Sequence, residues 1–380
     1  MSQRFLFYKG RVALYALLKA FGISSGHRVL VPGYTCIVVP LAVRYLGAIP
    51  EYTDIQMQSY NATLENYKEA FARIESQGNA HTLKAVLVQH TYGNPNKDIA
   101  SIVSWAQQKG LVVLEDCAHV NGIVINGKAA GNFGDGSFFS TQWSKPFTTG
   151  LGGIAQLNRE TDEKVRDALV QLAQSAEAPG TIESCVLALQ LLAHKVFLKP
   201  SLYWFAINTH RALSKAGIFV GSSTTAELNG EMPQDYFKKM GGLQIWLLAK
   251  RSANMEQVNR NRKRLVEEYD KLLNEKGFST FKRESGAVLI RYPVRVEDKK
   301  LCLEDAKEQK IELGDWFDSP LHPAGSNVED LNWDDHLCPN AVTLACDTIN
   351  LPVHNGVDVL EARRIVAFIS KYIKKTTLES

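Results

Sequence analysis

The chain has 380 residues, 45% apolar and 22% charged, which excludes a short single module or a disordered polymer and predicts two domains, or one large domain with a smaller companion. Forty-three Lys and Arg against 40 Asp and Glu leave +3 without a basic block, so no nucleic-acid footprint is visible and a small-molecule partner is expected. Six cysteines with no CxxC pair, a start (MSQRFLFYKG) without a signal-peptide core, and no apolar run of membrane-spanning length argue against a disulfide framework, a zinc site and membrane contact, and predict a cytoplasmic protein with reduced thiols.

Leu14, Leu17, Leu18 and Phe21 fall at i, i+3, i+4 and i+7 between Gly10 and Gly22, the pattern of a helix with a glycine stop. Arg28 to Val31 reads as a strand. AVLVQH after Lys84 reads as another, followed by Asp98 as a candidate N-cap, a helical face of Ile99, Ile102, Val103 and Ala106, then Gly110 and the strand LVVLED. This is a βαβ unit whose nearly all-apolar strands require cover on both faces, so a parallel α/β sheet is predicted. SFFS (137–140) and GIAQL (153–157) are shorter strands around a polar, glycine-rich stretch.

Residues 160–220 read as mostly helical. The run CVLALQLLAHKVFLKPSLYWFA from Cys185 is interrupted by His194, Lys195, Lys199 and Pro200, which favours a packed helical insertion over an interfacial anchor. From about 245 a long charged helix is predicted to Leu273, then the strand AVLIRYPVRV, a charged helix near 302–310 and a last helix after Pro352. The predicted organisation is a large domain over 1–245, with an insertion at about 160–235, and a smaller α+β domain over 246–380.

Ligands of open α/β sheets sit at the carboxyl ends of strands. Asp116 ends LVVLED, with His119 just beyond; alone, such a carboxylate suits a metal, a helix cap or a protonated ring nitrogen. Lys145 lies in SFFSTQWSKPFTTGLGG beside Trp143 and Phe147, where partial desolvation would free its amine for Schiff-base chemistry. Gly10 opens a helix whose bare N–H groups and dipole form an anion site, with Arg11 next to it. Pyridoxal 5'-phosphate needs these three things together: an anion cradle, a carboxylate for its pyridinium and a lysine for its aldehyde.

The chain resembles the DegT/StrS-type pyridoxal-phosphate sugar aminotransferases of the fold-type I superfamily. The resemblance rests on five blocks in order: KGRVALYALLKAFGISSGHRVLVPGYTCIVVPLAVRYLGAIPEYTDI, VLVQHTYGNPNKDI, VLEDCAHVNG, GDGSFFSTQWSKPFTTGLGG and INLPVH. It implies a large domain with a mostly parallel sheet flanked by helices, plus a small C-terminal α+β domain. It makes Lys145 the Schiff-base lysine, Asp116 the partner of the pyridine nitrogen, Ser140 the phosphate-binding serine, and His119 a group beside the cofactor ring. Gly10, Arg11 and Val12 fall where the family grips the phosphate, with Arg11 in place of a hydroxyl residue.

Cys36 occupies the position of the family's stacking aromatic, so His119 or Tyr34 is expected to cover that face. Phe237, Lys238 and Lys239 precede Met240 where the family has an Asn-aromatic-Arg stretch reaching the partner subunit's phosphate. His90, Thr91 and Tyr92 match a strand exit near the site, and Trp316, Asp318 and His322 lie in a substrate-side loop. The resemblance implies transfer of an amino group from glutamate or glutamine to a keto sugar, nucleotide-linked, for polysaccharide or glycoconjugate assembly, by a homodimer with the site at its interface and no bound metal. The alternatives are a sugar dehydratase of the same fold, which commonly has a histidine at the lysine position, and a non-catalytic cofactor-binding regulator.

Overall fold

The computed structural model describes residues 2–158, 161–197 and 223–374. Its central sheet has seven strands in the order β1-β10-β9-β6-β5-β2-β4, namely β1 (Gln3–Phe7), β2 (Arg28–Pro32), β4 (Ile49–Thr53), β5 (Leu83–Gln89), β6 (Val112–Asp116), β9 (Gly136–Ser140) and β10 (Gly153–Leu157). Neighbours from β9 to β4 run parallel, and β10 is antiparallel to both β9 and β1. Helix α1 (Gly10–Ala20) is buried along almost its whole length, as its apolar run from Val12 to Leu18 requires. Helices α2 (Val38–Arg44), α3 (Leu64–Ser76) and α4 (Ile99–Gln108) complete the first half. Thr63 and Asn66 form a reciprocal capping box that starts α3. A short hairpin, β7 (Val124–Ile125) and β8 (Lys128–Ala129), links β6 to β9.

The βαβ unit over 83–116 stands as expected, with one correction. Asp98 occupies the N-cap position of α4 but makes no cap bond there. Its carboxylate accepts the Leu64 amide at 3.2 Å instead, joining α3 to α4 because α3 offers a bare first-turn N–H.

Helices α5 (Glu163–Ser175) and α6 (Thr181–Phe197) occupy the start of the expected insertion, and Lys199 and Pro200 lie outside the described residues. After the one-turn α7 (Thr225–Leu228), the expected single helix from 245 to 273 is two: α8 (Gly242–Ser252) and α9 (Met255–Glu275), broken at Ala253–Asn254. The two helices serve different cores. Leu247 of α8 packs with Tyr8, Leu151, Leu187 and Leu191, whereas Val266, Tyr269, Leu272 and Leu273 of α9 join a cluster with α10 (Lys299–Glu308), β13 (Thr348–Pro352) and α12 (Val359–Ile369). The expected strand AVLIRYPVRV is a ladder only over β11 (Arg291–Arg295), antiparallel to β13. Just before it, the amides of Val288 and Ile290 donate to the carbonyls of Gly93 and Tyr92 at 3.1 and 2.9 Å.

Most of the apolar residues between Asp315 and β13 leave that second cluster. Phe317, Leu321, Leu331, Cys338 and, on α11 (Pro339–Asp347), Ala341, Leu344 and Ala345 belong to the main core. The short strand β12 (Leu321–His322) pairs in parallel with β3 (Thr35–Cys36). The chain thus returns to the large sheet's carboxyl edge before completing the second cluster. No helix among the described residues is long and apolar enough to cross a membrane.

Candidate active site

A cavity of about 440 Å³ opens at the carboxyl ends of the parallel strands, with Gly10, Arg11, Cys36, Asp116, His119, Ser140, Lys145, Trp316 and His322 in its wall. The structure does not bring Val12, Tyr34, His90, Tyr92 or Asp318 into that wall. Gln89, Phe138 and Gln142 line it without having been singled out from the sequence, and Trp143, read from the sequence as a neighbour of Lys145, lines it too.

Asp116 is the last residue of β6 and is buried; its Oδ1 accepts the Ala118 amide at 2.9 Å. Burial pushes its carboxyl up to about 6, against the pull of that hydrogen bond and of Lys145. Lys145 is pushed the other way: burial lowers its pKa, reinforced by Arg291 and Arg11 and opposed by Cys36 and Asp116. Its Nζ stands 4.8 Å from the centre of the Trp316 ring. An amine weakened as an acid-bound cation and a carboxyl held near neutrality are the pair that acid/base chemistry at neutral pH requires.

His119 takes its orientation from a residue outside the wall. Its Nδ1 accepts the Tyr92 amide at 3.1 Å, which assigns the ring proton to Nε2. Burial, then Lys145 and Arg291, holds its pKa well below the usual histidine range, so the ring is neutral. It stacks on Trp316, with centroids 5.6 Å apart and planes at 21°. Tyr92 achieves this amide direction with φ of +57°, costly for a tyrosine. Its hydroxyl meets the Tyr34 hydroxyl at 2.8 Å and donates to the Trp316 carbonyl, and the Tyr34 hydroxyl accepts the Phe317 amide at 3.3 Å. Tyr34, expected to cover the cofactor's face, and Tyr92, expected at a strand exit near the site, fasten residues 316–317 from outside the wall.

His90 also lies behind the wall, fully buried. Its Nδ1 accepts the Asn96 amide at 3.0 Å and its Nε2 faces Glu115 at 3.3 Å. Glu115 further accepts the amides of Gly131, Phe133 and Gly134. His90, Glu115 and Cys117 are close enough to share a metal, but the carboxylate oxygens are already occupied by these donors.

The phosphate end was partly legible. Helix α1 has no side-chain cap, and a Cβ on Gly10 would stand 2.9 Å from the Ser140 Cβ, so only glycine leaves the helix end open beside the Ser140 hydroxyl. The Arg11 guanidinium pairs with Glu227 and reaches Ser223 at 3.4 Å, which leaves its backbone N–H at the start of α1. Lys9 lies 3.6 Å from Glu227, and burial followed by the nearby Arg11 lowers it to about 8. Glu227 resists its burial because Arg11 and Lys9 hold it below the usual carboxylate range. Sequence reasoning missed Glu227, although Thr224 and Glu227 form a capping box whose spacing is visible in the sequence. Lys238 is bound to Glu183 and Asp235 at 2.9 and 2.6 Å, and residues 238–240 bond along the outer edge of β1.

Asp318 stands just outside the wall, where its Oδ1 accepts the His322 ring at 2.7 Å and the Ala324 amide at 2.8 Å. Although burial opposes it, these bonds keep the carboxyl below its ordinary range.

An open sheet with one reversed strand, a second small antiparallel sheet, and a lysine and an aspartate facing one cavity define the fold-type I class of pyridoxal-phosphate enzymes. The chain belongs to the DegT/DnrJ/EryC1/StrS aminotransferase family, whose sequence profile it matches over residues 7–181 and 208–370. It is 36% identical over 152 residues to GDP-perosamine synthase of Escherichia coli O157:H7, covering 40% of this chain and 39% of that protein. It is 35% identical over 131 residues to dTDP-3-amino-3,6-dideoxy-alpha-D-galactopyranose transaminase of Aneurinibacillus thermoaerophilus, 34% of each chain. The aligned regions thus span well under half of these relatives. A DegT DnrJ EryC1 StrS aminotransferase from Brucella abortus shares the fold with a TM-score of 0.72 at 19% identity, over 97% of this chain and 85% of that one. Spr1654 from Streptococcus pneumoniae, in its PMP form, gives 0.71 at 18%, over 97% and 87%.

Pyridoxal 5'-phosphate is the cofactor of this family, and the residues here fit it. The uncapped α1 end and Ser140 suit the phosphate, Asp116 the ring nitrogen, His119 a ring face and Lys145 the aldehyde.

Proposed function

We propose that this protein is an aminotransferase that takes an amino group from glutamate or glutamine and delivers it to a keto sugar carried on a nucleotide, in the assembly of a polysaccharide or glycoconjugate. The observation that carries the reading is the convergence of Asp116, Lys145 and the open end of α1 on one buried cavity. When bound, pyridoxal phosphate supplies the electron sink that stabilises negative charge at the donor's Cα. The chain's own groups do the rest. Asp116 would hold the ring nitrogen and favour its protonated form. Lys145 would hold the aldehyde and, as a free amine, would carry the proton to and from the donor's Cα, a task matched to its lowered pKa. His119 presents a neutral ring, and Trp316 with Trp143 excludes water. The same groups serve the reverse transfer onto the sugar carbonyl.

The second hydrophobic cluster, with α9, α10, β13 and α12, is the lobe we expect to close over the substrate. A homodimer is part of the same reading: Ile182, Leu189 and Leu192 on α6 and Ile245 and Trp246 on α8 are exposed apolar residues, a surface that a second copy would cover. Free cysteines fit a reducing cytoplasm. A dehydratase of the same fold is disfavoured by the lysine at 145, and a regulator without turnover by the tuned Asp116 and Lys145.

The test is the visible absorption spectrum of the protein with pyridoxal phosphate, before and after glutamate, beside Lys145→Ala. A lysine-dependent band that glutamate bleaches, with release of 2-oxoglutarate, supports the reading. A band that no amino donor changes would leave a binding protein, and no band at all would remove Lys145 from its role.

A further inference from the structure

The thiol of Cys36 stands at a cavity position with chemistry of its own. Cys36 and His322 are register partners in the parallel β3–β12 pair, so their side chains leave the same face of that ribbon, and both line the cavity. The pairing is held by Thr35 N–H to Pro320 O at 2.9 Å and Ile37 N–H to His322 O at 2.8 Å. The His322 Nδ1 is committed to Asp318, which leaves Nε2 as the acceptor. A thiol, a neighbouring imidazole and a carboxylate orienting that imidazole are the parts of an activated cysteine nucleophile. The other charged groups in the wall are Arg11, Asp116 and Lys145. By contrast, Cys117, Cys302 and Cys338 are buried and pushed upward by that burial, while Cys185 and Cys346 are exposed.

We propose that Cys36, His322 and Asp318 form a thiol site in the cavity wall that takes a low-molecular-weight disulfide, and that the resulting mixed disulfide occupies the cavity and shuts it. His322 Nε2 receives the Cys36 proton and the sulfur attacks one sulfur of the incoming disulfide. The S–S bond breaks, and the departing thiolate takes the proton back from His322. One disulfide replaces another with no net oxidation, and a free thiol reverses the step.

The full-length protein is incubated with oxidised glutathione and the adducts are located by mass and peptide mapping. Cys36 is expected to acquire glutathione at least about tenfold faster than Cys185 and Cys346, although those two are more exposed. Dithiothreitol should remove the adduct, and the adduct should prevent uptake of pyridoxal phosphate, read by absorbance. His322→Asn and Asp318→Asn should each slow Cys36 at least fivefold and leave the rates at Cys185 and Cys346 unchanged. A Cys36 rate no higher than those of the exposed cysteines, or one indifferent to both variants, overturns the proposal. The readout is a mass, independent of turnover, so a failure of the transaminase reading and a failure here remain distinguishable.

Discussion

Glu115 and Asp116 are consecutive buried carboxylates at the end of β6, and their side chains go to opposite sides of the sheet. Glu115 is consumed by amides and His90, whereas Asp116 faces the cavity with one amide donor. The strand therefore carries a structural carboxylate and a chemical one side by side.

Their substitutions should separate. Glu115→Gln turns an acceptor-only group into one with an N–H₂ aimed among amide donors, and should destabilise the protein by about 3 kcal/mol. Asp116→Asn should abolish transamination yet stabilise the cofactor-free protein at pH 8. Because the folded carboxyl is raised to about 6, its favourable contribution is full below about pH 4 and is lost as pH rises through 6. The gap amounts to about 3 kcal/mol. Urea denaturation of both proteins at pH 4 and pH 8 checks it, and equal stability at pH 8 would contradict the burial of Asp116.

Gly10→Ala should weaken cofactor binding by at least about tenfold and destabilise the fold by about 1–3 kcal/mol, since the new Cβ meets the Ser140 Cβ at 2.9 Å. Adding Ser140→Gly removes the collision, so the double variant should recover stability without recovering phosphate affinity. Spectroscopic titration with pyridoxal phosphate and chemical denaturation separate the two effects.

Arg11 and Glu227 are almost fully enclosed, their side chains 3% and 1% exposed. Arg11→Met or Glu227→Gln alone should cost about 3–5 kcal/mol by leaving a charge without its main counterion, and Arg11→Met with Glu227→Met should restore most of it. If the pair's role is to hold the start of α1, cofactor affinity should recover in the double variant too, as titration would show.

Tyr92→Phe should cost about 1–3 kcal/mol, because the buried Trp316 carbonyl and Tyr34 hydroxyl lose a partner. The 316–323 segment should loosen with it, seen as faster amide exchange at Phe317.

Much of the frame was readable because the βαβ run over 83–116 carries its periodicity locally, and Asp116 and Lys145 stand at strand exits that any parallel sheet exposes. What escaped reading depends on tertiary partners. The two-residue pairing of Thr35–Cys36 with Leu321–His322 joins distant segments with no pattern in either. The charged pattern from 242 to 275 runs on through Ala253–Asn254, where only the existence of two cores demands a break. The pairing of the Arg11 guanidinium with Glu227 was not readable, because Glu227 lies on the far side of the insertion. Tyr34, His90 and Tyr92 were expected near the site from their place in the sequence, but which side of the wall they occupy follows from hydrogen bonds alone.

The return of residues 316–323 to the first core has a consequence for biosynthesis. The cavity takes its helix end from Gly10 and its last wall from His322, so a nascent chain can build the sheet long before it can enclose a ligand. At about 5–20 residues per second the ribosome needs roughly a quarter of a minute to a minute to pass from one to the other. Throughout that interval the carboxyl edge of the sheet, with Cys36 and Lys145 on it, stands open to the cell.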